Sequence, residues 1–294
     1  MRTRLATGMA LIACLLGIAW VDARVPPLAL RAGFEVHGAL FLGVAALLLS
    51  PLLAMELARM GCGAGVRASA PVCALAAALG CVSVAAAGWA ESPRQLALLL
   101  ALPPVGVVAL ASVVATRGQR VDGIGAALGF AALSYALIGL SLGSWVALRS
   151  ATDAWTLAAV ILIVKSSDIG AYFTGRAVGR HKLIPWLSPG KTWEGLVGGM
   201  ALAIAVGTAV GAWGQLPSVT PQVGLWLGAA MGIIGPFGDL LESVLKRGAG
   251  MKDSGRIVPG MGGVFDVLDS LLLAGPVAWL LISPVAPSDT LTGP

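Results

Sequence analysis

Hydrophobic residues along this chain gather into long runs separated by short polar stretches. After a basic start at residues 1–4, one run extends to about residue 21. Others lie near 37–56, 70–90, 95–116, 123–148, 154–175, 195–214, 222–245 and 264–283. Each is about 20 residues, the length that crosses a bilayer core as a helix. The pattern predicts an all-α, polytopic integral membrane protein with about nine transmembrane helices. The first run has the outline of a signal peptide, but no small-residue cleavage site precedes Arg24 and further spans follow. An uncleaved first helix is therefore expected. Residues 1–150 hold about five spans, 151–283 hold the spans with the polar stretches, and 284–294 form a short polar tail without expected structure. No internal repeat and no long linker divides them, so one integrated membrane domain is expected. Pro103-Pro104 falls inside the fourth run, where a kink is expected. The abundant Gly and Ala suit close helix packing in lipid.

Composition supports the same class. The chain is 57% hydrophobic and 11% charged, with a mean hydropathy of +0.90. A soluble domain carries about 25% charged residues, so this one lacks the polar surface to dissolve. Its net charge of +5 then belongs to cytoplasmic loops and anionic head groups, and no nucleic-acid binding is inferred. Cys14, Cys73 and Cys81 lie in apolar runs as packing residues, and Cys62 lies in a short loop. Their spacing indicates neither a disulfide framework nor a zinc site.

The cations set the orientation. With the N-terminus cytoplasmic, the cytoplasmic segments hold Arg2, Arg4, Arg59, Arg67, Arg117, Arg120, Arg176, Arg180, Lys182, Lys191, Lys246, Arg247, Lys252 and Arg256. The other side then holds Arg24, Arg31, Arg94 and Arg149. The positive-inside rule selects N-in and, with nine spans, C-out. The loops near 176–194 and 246–264 then share the cytoplasmic face, and Lys165 is left inside a span.

Those loops belong to two polar stretches, 166–199 and 239–270. Asp266 and Asp269 are three residues apart at the start of the last span, so a helix puts them on one face, and Asp239 and Glu242 have the same spacing. If the last two spans form a hairpin, Asp239 and Asp266 approach each other. Facing carboxylates repel unless one is protonated or a cation lies between them. A hard divalent ion such as Mg²⁺ resolves the conflict, and Lys246, Arg247, Lys252 and Arg256 can clamp the remaining phosphate charge. Such a site suits phosphoryl or nucleotidyl transfer. For Lys246 and Arg247 alone, snorkelling to head groups is an equal account. It does not account for Asp239, Asp266 and Asp269, because acids gain nothing from anionic lipid.

In the upstream stretch, Asp168 follows Lys165 inside or at the edge of a span, a functional position unless the two form a structural pair. Ser188 to Thr192 reads as a turn entering a helix, with Thr192 as N-cap. Backbone N–H groups and Lys191 there could hold phosphate. It is not a P-loop, which would need glycine at Pro185. His181 is expected at the interface and not as a base, and Trp186 and Trp193 fit an aromatic belt as well as a nucleotide-stacking role.

Together the two stretches resemble the phosphatidate cytidylyltransferases, also called CDP-diacylglycerol synthases. The downstream signature is matched in register by Ser243, Lys246-Arg247, Lys252-Asp253, Pro259-Gly260, Gly262-Gly263, Asp266 and Asp269-Ser270. The upstream one is matched by Asp168, Gly170-Ala171-Tyr172-Phe173, Gly175-Arg176, Ser188-Pro189 and Lys191-Thr192-Trp193-Glu194-Gly195. The resemblance covers about residues 160–280, and the N-terminal half matches only as a set of spans. Met261 stands where the family usually has His, and Val267 where it has Arg.

The resemblance implies a nucleotidyltransferase of phospholipid biosynthesis. It would convert CTP and phosphatidate into CDP-diacylglycerol and pyrophosphate by in-line attack of the lipid phosphate on the CTP α-phosphorus. It implies Mg²⁺ on Asp239 and Asp266, with Asp269 a further ligand or a partner of the ligands, and it is compatible with a second, monovalent cation. Lys246 and Lys252 join these acids as catalytic residues. Asp168, Ser188, Lys191, Thr192, Arg247 and Asp253 would bind or orient substrate. A homodimer and an active site on the cytoplasmic face of a bacterial-type inner membrane are also implied. The alternatives are an ion-coupled secondary transporter using Lys165, Asp168 and Asp239, and another CTP-using lipid enzyme, a polyprenol kinase or an ether-lipid cytidylyltransferase.

Overall fold

The computed structural model describes residues 39–282 except 88–89, 91 and 118–121, together with residues 17, 20–21, 28–29 and 35–36. Eight helices among the described residues are long and apolar enough to cross a membrane. In chain order they are α1 (Leu40–Gly63), α2 (Ala70–Ala87), α3 (Pro93–Thr116), α4 (Ile124–Ala151), α5 (Ala154–Val178), α6 (Trp193–Trp213), α7 (Pro221–Gly248) and α8 (Phe265–Ile282). They correspond to the eight runs after the first, so the chain is an all-α polytopic integral membrane protein. Apart from residues 17 and 20–21, the expected first span lies outside the described residues, as does the polar tail. Among the described residues, strands are confined to two short antiparallel pairs, β1 (Leu28–Ala29) with β2 (Glu35–Val36), and β3 (Lys182–Ile184) with β4 (Ser188–Thr192).

Capping residues fix where the helices start. Ser92 accepts from Gln95 N–H, Asp153 from Trp155 and Thr156 N–H, Thr192 from Gly195 N–H, and Thr220 from Val223 N–H. Each cap is worth about 1 kcal/mol. Pro93 and Pro221 occupy the first helical positions, where the missing N–H is harmless. α3 continues through Pro103 and Pro104, and a π-helical stretch, Ser134–Leu140, lies inside α4. α1 runs past the expected end at 56 as far as Gly63, so Cys62 sits in its last turn and not in a loop. Polarity misplaced this boundary: Glu56 is 1% exposed, because the polar stretch after α7 covers it.

Two apolar clusters meet on α8. One joins Leu53, Leu57 and Met60 of α1 to Ile138 of α4 and to Phe265 and Leu272. The other joins Leu148, Val160, Ile163, Leu227 and Met231 to Leu271 and Ala274. Leu268 packs against both. The helices α5, α6 and α7 approach more closely than side chains would allow. A Cβ on Gly224 would collide with the Gly207 carbonyl, and one on Gly199 would lie 2.6 Å from the Ser167 carbonyl. Small residues at such crossings are what permits tight packing in lipid. The consequence is that the end of α5, the start of α6, the end of α7 and the start of α8 lie together at one end of the bundle. The end of α1 joins them, with Gly63 against Ala249.

Gly224→Val should therefore lower stability by about 1–3 kcal/mol through overpacking, seen as a lower thermal midpoint in detergent. Gly129→Ala, with nothing within 4 Å of its added carbon, should leave the midpoint at or slightly above wild type.

Candidate active site

The turn before α8 is built around the Asp266 carboxylate. Oδ2 accepts from Ser254 N–H, Ser254 Oγ–H and Gly263 N–H, all at 2.8 Å. Oδ1 accepts from Lys246 Nζ at 2.6 Å. Gly262 has φ +110, a backbone open to glycine and not to L side chains. A Cβ there would also strike Asp266 Oδ2. Lys246, in the last turns of α7, makes a second ion pair with Glu242 Oε2 at 3.0 Å. One lysine thus ties α7 to the first turn of α8.

Beside it, Asp239, Glu242 and Asp269 each present a carboxylate oxygen within 4.8 Å of the others. Glu242 is 1% exposed, and its Oε1 is buried without a hydrogen-bond partner among the described residues. Buried polar atoms are rarely left so. Three crowded carboxylates, one with an orphaned oxygen, form a hard, all-oxygen donor set, and this fits a hard divalent cation. Asp239 and Asp269 belong to this group and Asp266 does not. Both oxygens of Asp266 are already engaged, and it borders the group at Glu242, with which it shares Lys246.

Lys191 approaches from the other side. Its Nζ lies 2.7 Å from Asp239 Oδ2 and donates to the Pro236 carbonyl at 3.0 Å. The β3–β4 hairpin delivers it, as the strand ending on Thr192 runs directly into α6. Thr192 is the N-cap, its hydroxyl taken by Gly195 N–H at 3.1 Å. His181 is exposed and closes the hairpin onto α6 by pairing its Nδ1 with Glu194 Oε1 at 2.6 Å. Ser188 opens β4, half-buried, and Trp186 projects from the tip at 80% exposure. Inside α5, Lys165 Nζ lies 3.1 Å from Asp168 Oδ2 and donates to Ser270 Oγ at 2.7 Å. The pair suggested by their spacing forms, and it is anchored to the residue after Asp269. Arg247, Lys252, Asp253 and Arg256 are exposed at the rim, where Arg247 donates to the Met251 carbonyl. Met261 and Val267 are half-buried on either side of Asp266.

Two carboxylates at the site, Glu242 and Glu56, carry little signal in the sequence. Glu242 was visible by its spacing from Asp239, yet no role followed. Glu56 of α1 was not singled out, although an acid within an apolar run is the same signal that marked Asp168. Its carboxylate reaches the head of α8, 208 residues away along the chain, and accepts from Val264 N–H at 3.0 Å.

A polytopic helical bundle with an acid–lysine site at one end is the class that fold and site define. Residues 2–285 match the cytidylyltransferase family, and the chain belongs to that family. Among similar proteins are the phosphatidate cytidylyltransferases of Brucella abortus, 42% identical over 47% of this chain and 50% of the relative, and of Bacillus subtilis, 37% identical over 53% and 58%. That of Mycobacterium tuberculosis is 34% identical over 49% and 43%. The chain spans about half the length of the curated relatives it matches.

Removing a ligand should show directly in metal affinity. Mn²⁺, an oxygen-seeking ion with a paramagnetic readout, should bind the wild-type protein saturably by electron paramagnetic resonance. Asp239→Asn and Asp269→Asn should each weaken it by about tenfold or more. Unchanged affinity in both would contradict the ligand set.

Proposed function

We propose that this protein is a phosphatidate cytidylyltransferase, converting CTP and phosphatidate into CDP-diacylglycerol and pyrophosphate in phospholipid biosynthesis. The observation that carries the reading is the meeting of three carboxylates with Lys191 and Lys246 at one end of a membrane bundle, in a member of the cytidylyltransferase family. The activity named for the similar proteins supports it. A lipid phosphate needs a site at the membrane edge, and a nucleoside triphosphate needs local positive charge and a cation.

Asp239, Glu242 and Asp269 would hold a divalent cation, for which we propose Mg²⁺, with room for a second, monovalent one. When bound, that ion supplies neutralisation of the triphosphate and of the departing pyrophosphate. The remaining work falls to the protein's own side chains. A phosphatidate oxygen attacks the α-phosphorus in line, and the bond from that phosphorus to the bridging oxygen of pyrophosphate breaks. The lipid phosphate is already anionic at neutral pH, so no strong general base is required. Positioning and electrostatics carry the rate, as in other phosphoryl transfers.

Lys246, fixed by Asp266 and Glu242, faces the developing charge, and Lys191 is aimed from the hairpin. Asp266 would become a metal ligand itself only if Lys246 moved onto phosphate. Arg247, Lys252 and Arg256 gather the triphosphate at the rim, and Asp253 orients that basic loop. Ser188 and Thr192 place Lys191, and Asp168, with Lys165, lines the membrane side. We further propose that the site faces the cytoplasm of a bacterial-type inner membrane, with the chain N-in and C-out, that it works as one integrated membrane domain, and that it assembles as a homodimer.

Purified protein given CTP and a panel of acceptors decides between the readings. Liponucleotide should form with phosphatidate and Mg²⁺, and not with polyprenol or with an unsaturated ether-lipid phosphate. Asp239→Asn and Asp266→Asn should each lower kcat by about 100-fold or more, the scale seen when one electrostatic contact to the transition state is lost. Preference for polyprenol or ether lipid would move the assignment to those enzymes, and ion-driven uptake without CTP would move it to a transporter.

A further inference from the structure

Glu56 sits two turns before the end of α1 and is 1% exposed. Its carboxylate accepts from Val264 N–H at 3.0 Å and Phe265 N–H at 2.9 Å, and its Oε2 lies 3.0 Å from Ser254 Oγ, whose single proton it shares with Asp266. The two amides belong to the entry of α8, where the first N–H groups of a helix have no partner within it. An anionic oxygen is favoured there by the helix dipole as well. The cap of α8 is thus supplied by a helix from the opposite end of the sequence.

The loop is moulded on this carboxylate. A Cβ on Gly255 or on Gly263 would lie 2.6 Å from Glu56 Oε1. A side chain at either position would have to displace the acid, so glycine is what lets the loop close over it in this arrangement. Gly263 also donates its N–H to Asp266. Ser254 carries the connection further, because its hydroxyl lies 3.0 Å from Glu56 Oε2 and 2.8 Å from Asp266 Oδ2. A continuous chain of contacts runs from Glu56 through Ser254 to Asp266, then through Lys246 to Glu242 of the carboxylate group.

We propose that Glu56 is a positioning residue for the reaction proposed above, on which this inference rests. Buried away from substrate, it holds the segment 254–265 so that Asp266 presents Lys246 at one fixed place beside Asp239, Glu242 and Asp269. The N-terminal spans then contribute to the site directly, through one side chain. A glutamine in its place offers one acceptor oxygen and an N–H₂ group that faces donors. At least one of the two backbone amides or the Ser254 hydroxyl then loses its partner.

The test compares wild type with Glu56→Gln in the full-length protein, using steady-state kinetics and hydrogen–deuterium exchange. In Glu56→Gln, kcat should fall by about tenfold or more while the KM values for CTP and phosphatidate stay within about threefold, the mark of an interaction felt in the transition state. Backbone exchange should accelerate in peptides covering 251–266 and stay at wild-type rates in α5 and α6. Wild-type kcat, or wild-type exchange at 251–266, overturns the proposal. If Glu56→Gln exchanges fast throughout the molecule, Ser254→Ala decides. It keeps both amide bonds of Glu56 and removes only the hydroxyl between the carboxylates. It should lower kcat with unchanged KM, and wild-type kcat overturns the proposal. A wild-type protein that forms no liponucleotide overturns the proposed reaction instead, and exchange at 251–266 still decides the clamp.

Discussion

Lys246 lies between two carboxylates, one turn after Glu242 on α7 and across from Asp266 on α8, with only 13% of its side chain open to solvent. Charges this buried, at the edge of hydrocarbon, persist only when each has a partner in good geometry. Removing one partner from such a set costs about 3–5 kcal/mol because the other is stranded. The spare oxygen of Asp266 is filled by donors from the preceding loop, whereas the spare oxygen of Glu242 has no partner among the described residues, and a carboxylate oxygen of Glu242 lies close to Asp239 and Asp269. The lysine thus bridges a carboxylate with both oxygens engaged and one with an oxygen left unpartnered among the described residues.

The remainder of the fold holds that arrangement in register. Glycine contacts bring α5, α6 and α7 together closely enough for Lys191 of the hairpin to reach Asp239, and Gly238 seats α7 against Asp269 and the Ser270 that Lys165 reaches. Capping by Thr192 sets the direction of α6, and capping by Glu56 sets that of α8. Polar contacts at both helix starts therefore aim side chains at the same volume. The apolar clusters above it supply burial that is less particular about position.

The spans were legible because hydrocarbon admits few alternatives to a helix of about 20 apolar residues. The acids were legible for the opposite reason, since charge in an apolar run is costly and draws attention. Which acids converge was not legible. The spacing of three placed Asp266 beside Asp269 on one face, but whether a carboxylate meets a cation or a lysine depends on loop closure, and loop closure is not periodic. Glu56 was hidden because the end of its apolar run looked like the end of a helix. Only the tertiary contact with 254–265 distinguishes it from an interfacial acid. The hairpin was half legible, with Thr192 expected as a cap and β3–β4 pairing unseen, because strands of three and five residues leave almost no periodic signal.

Which phosphorus of CTP enters the lipid tests the central claim most directly. Protein incubated with phosphatidate, Mg²⁺ and CTP labelled at either the α- or the γ-phosphate should transfer α-label into the lipid fraction. The γ-label should remain in the aqueous phase as pyrophosphate, in equal amount. Transfer of γ-label into lipid would contradict the account, because it would make the protein a kinase and not a cytidylyltransferase.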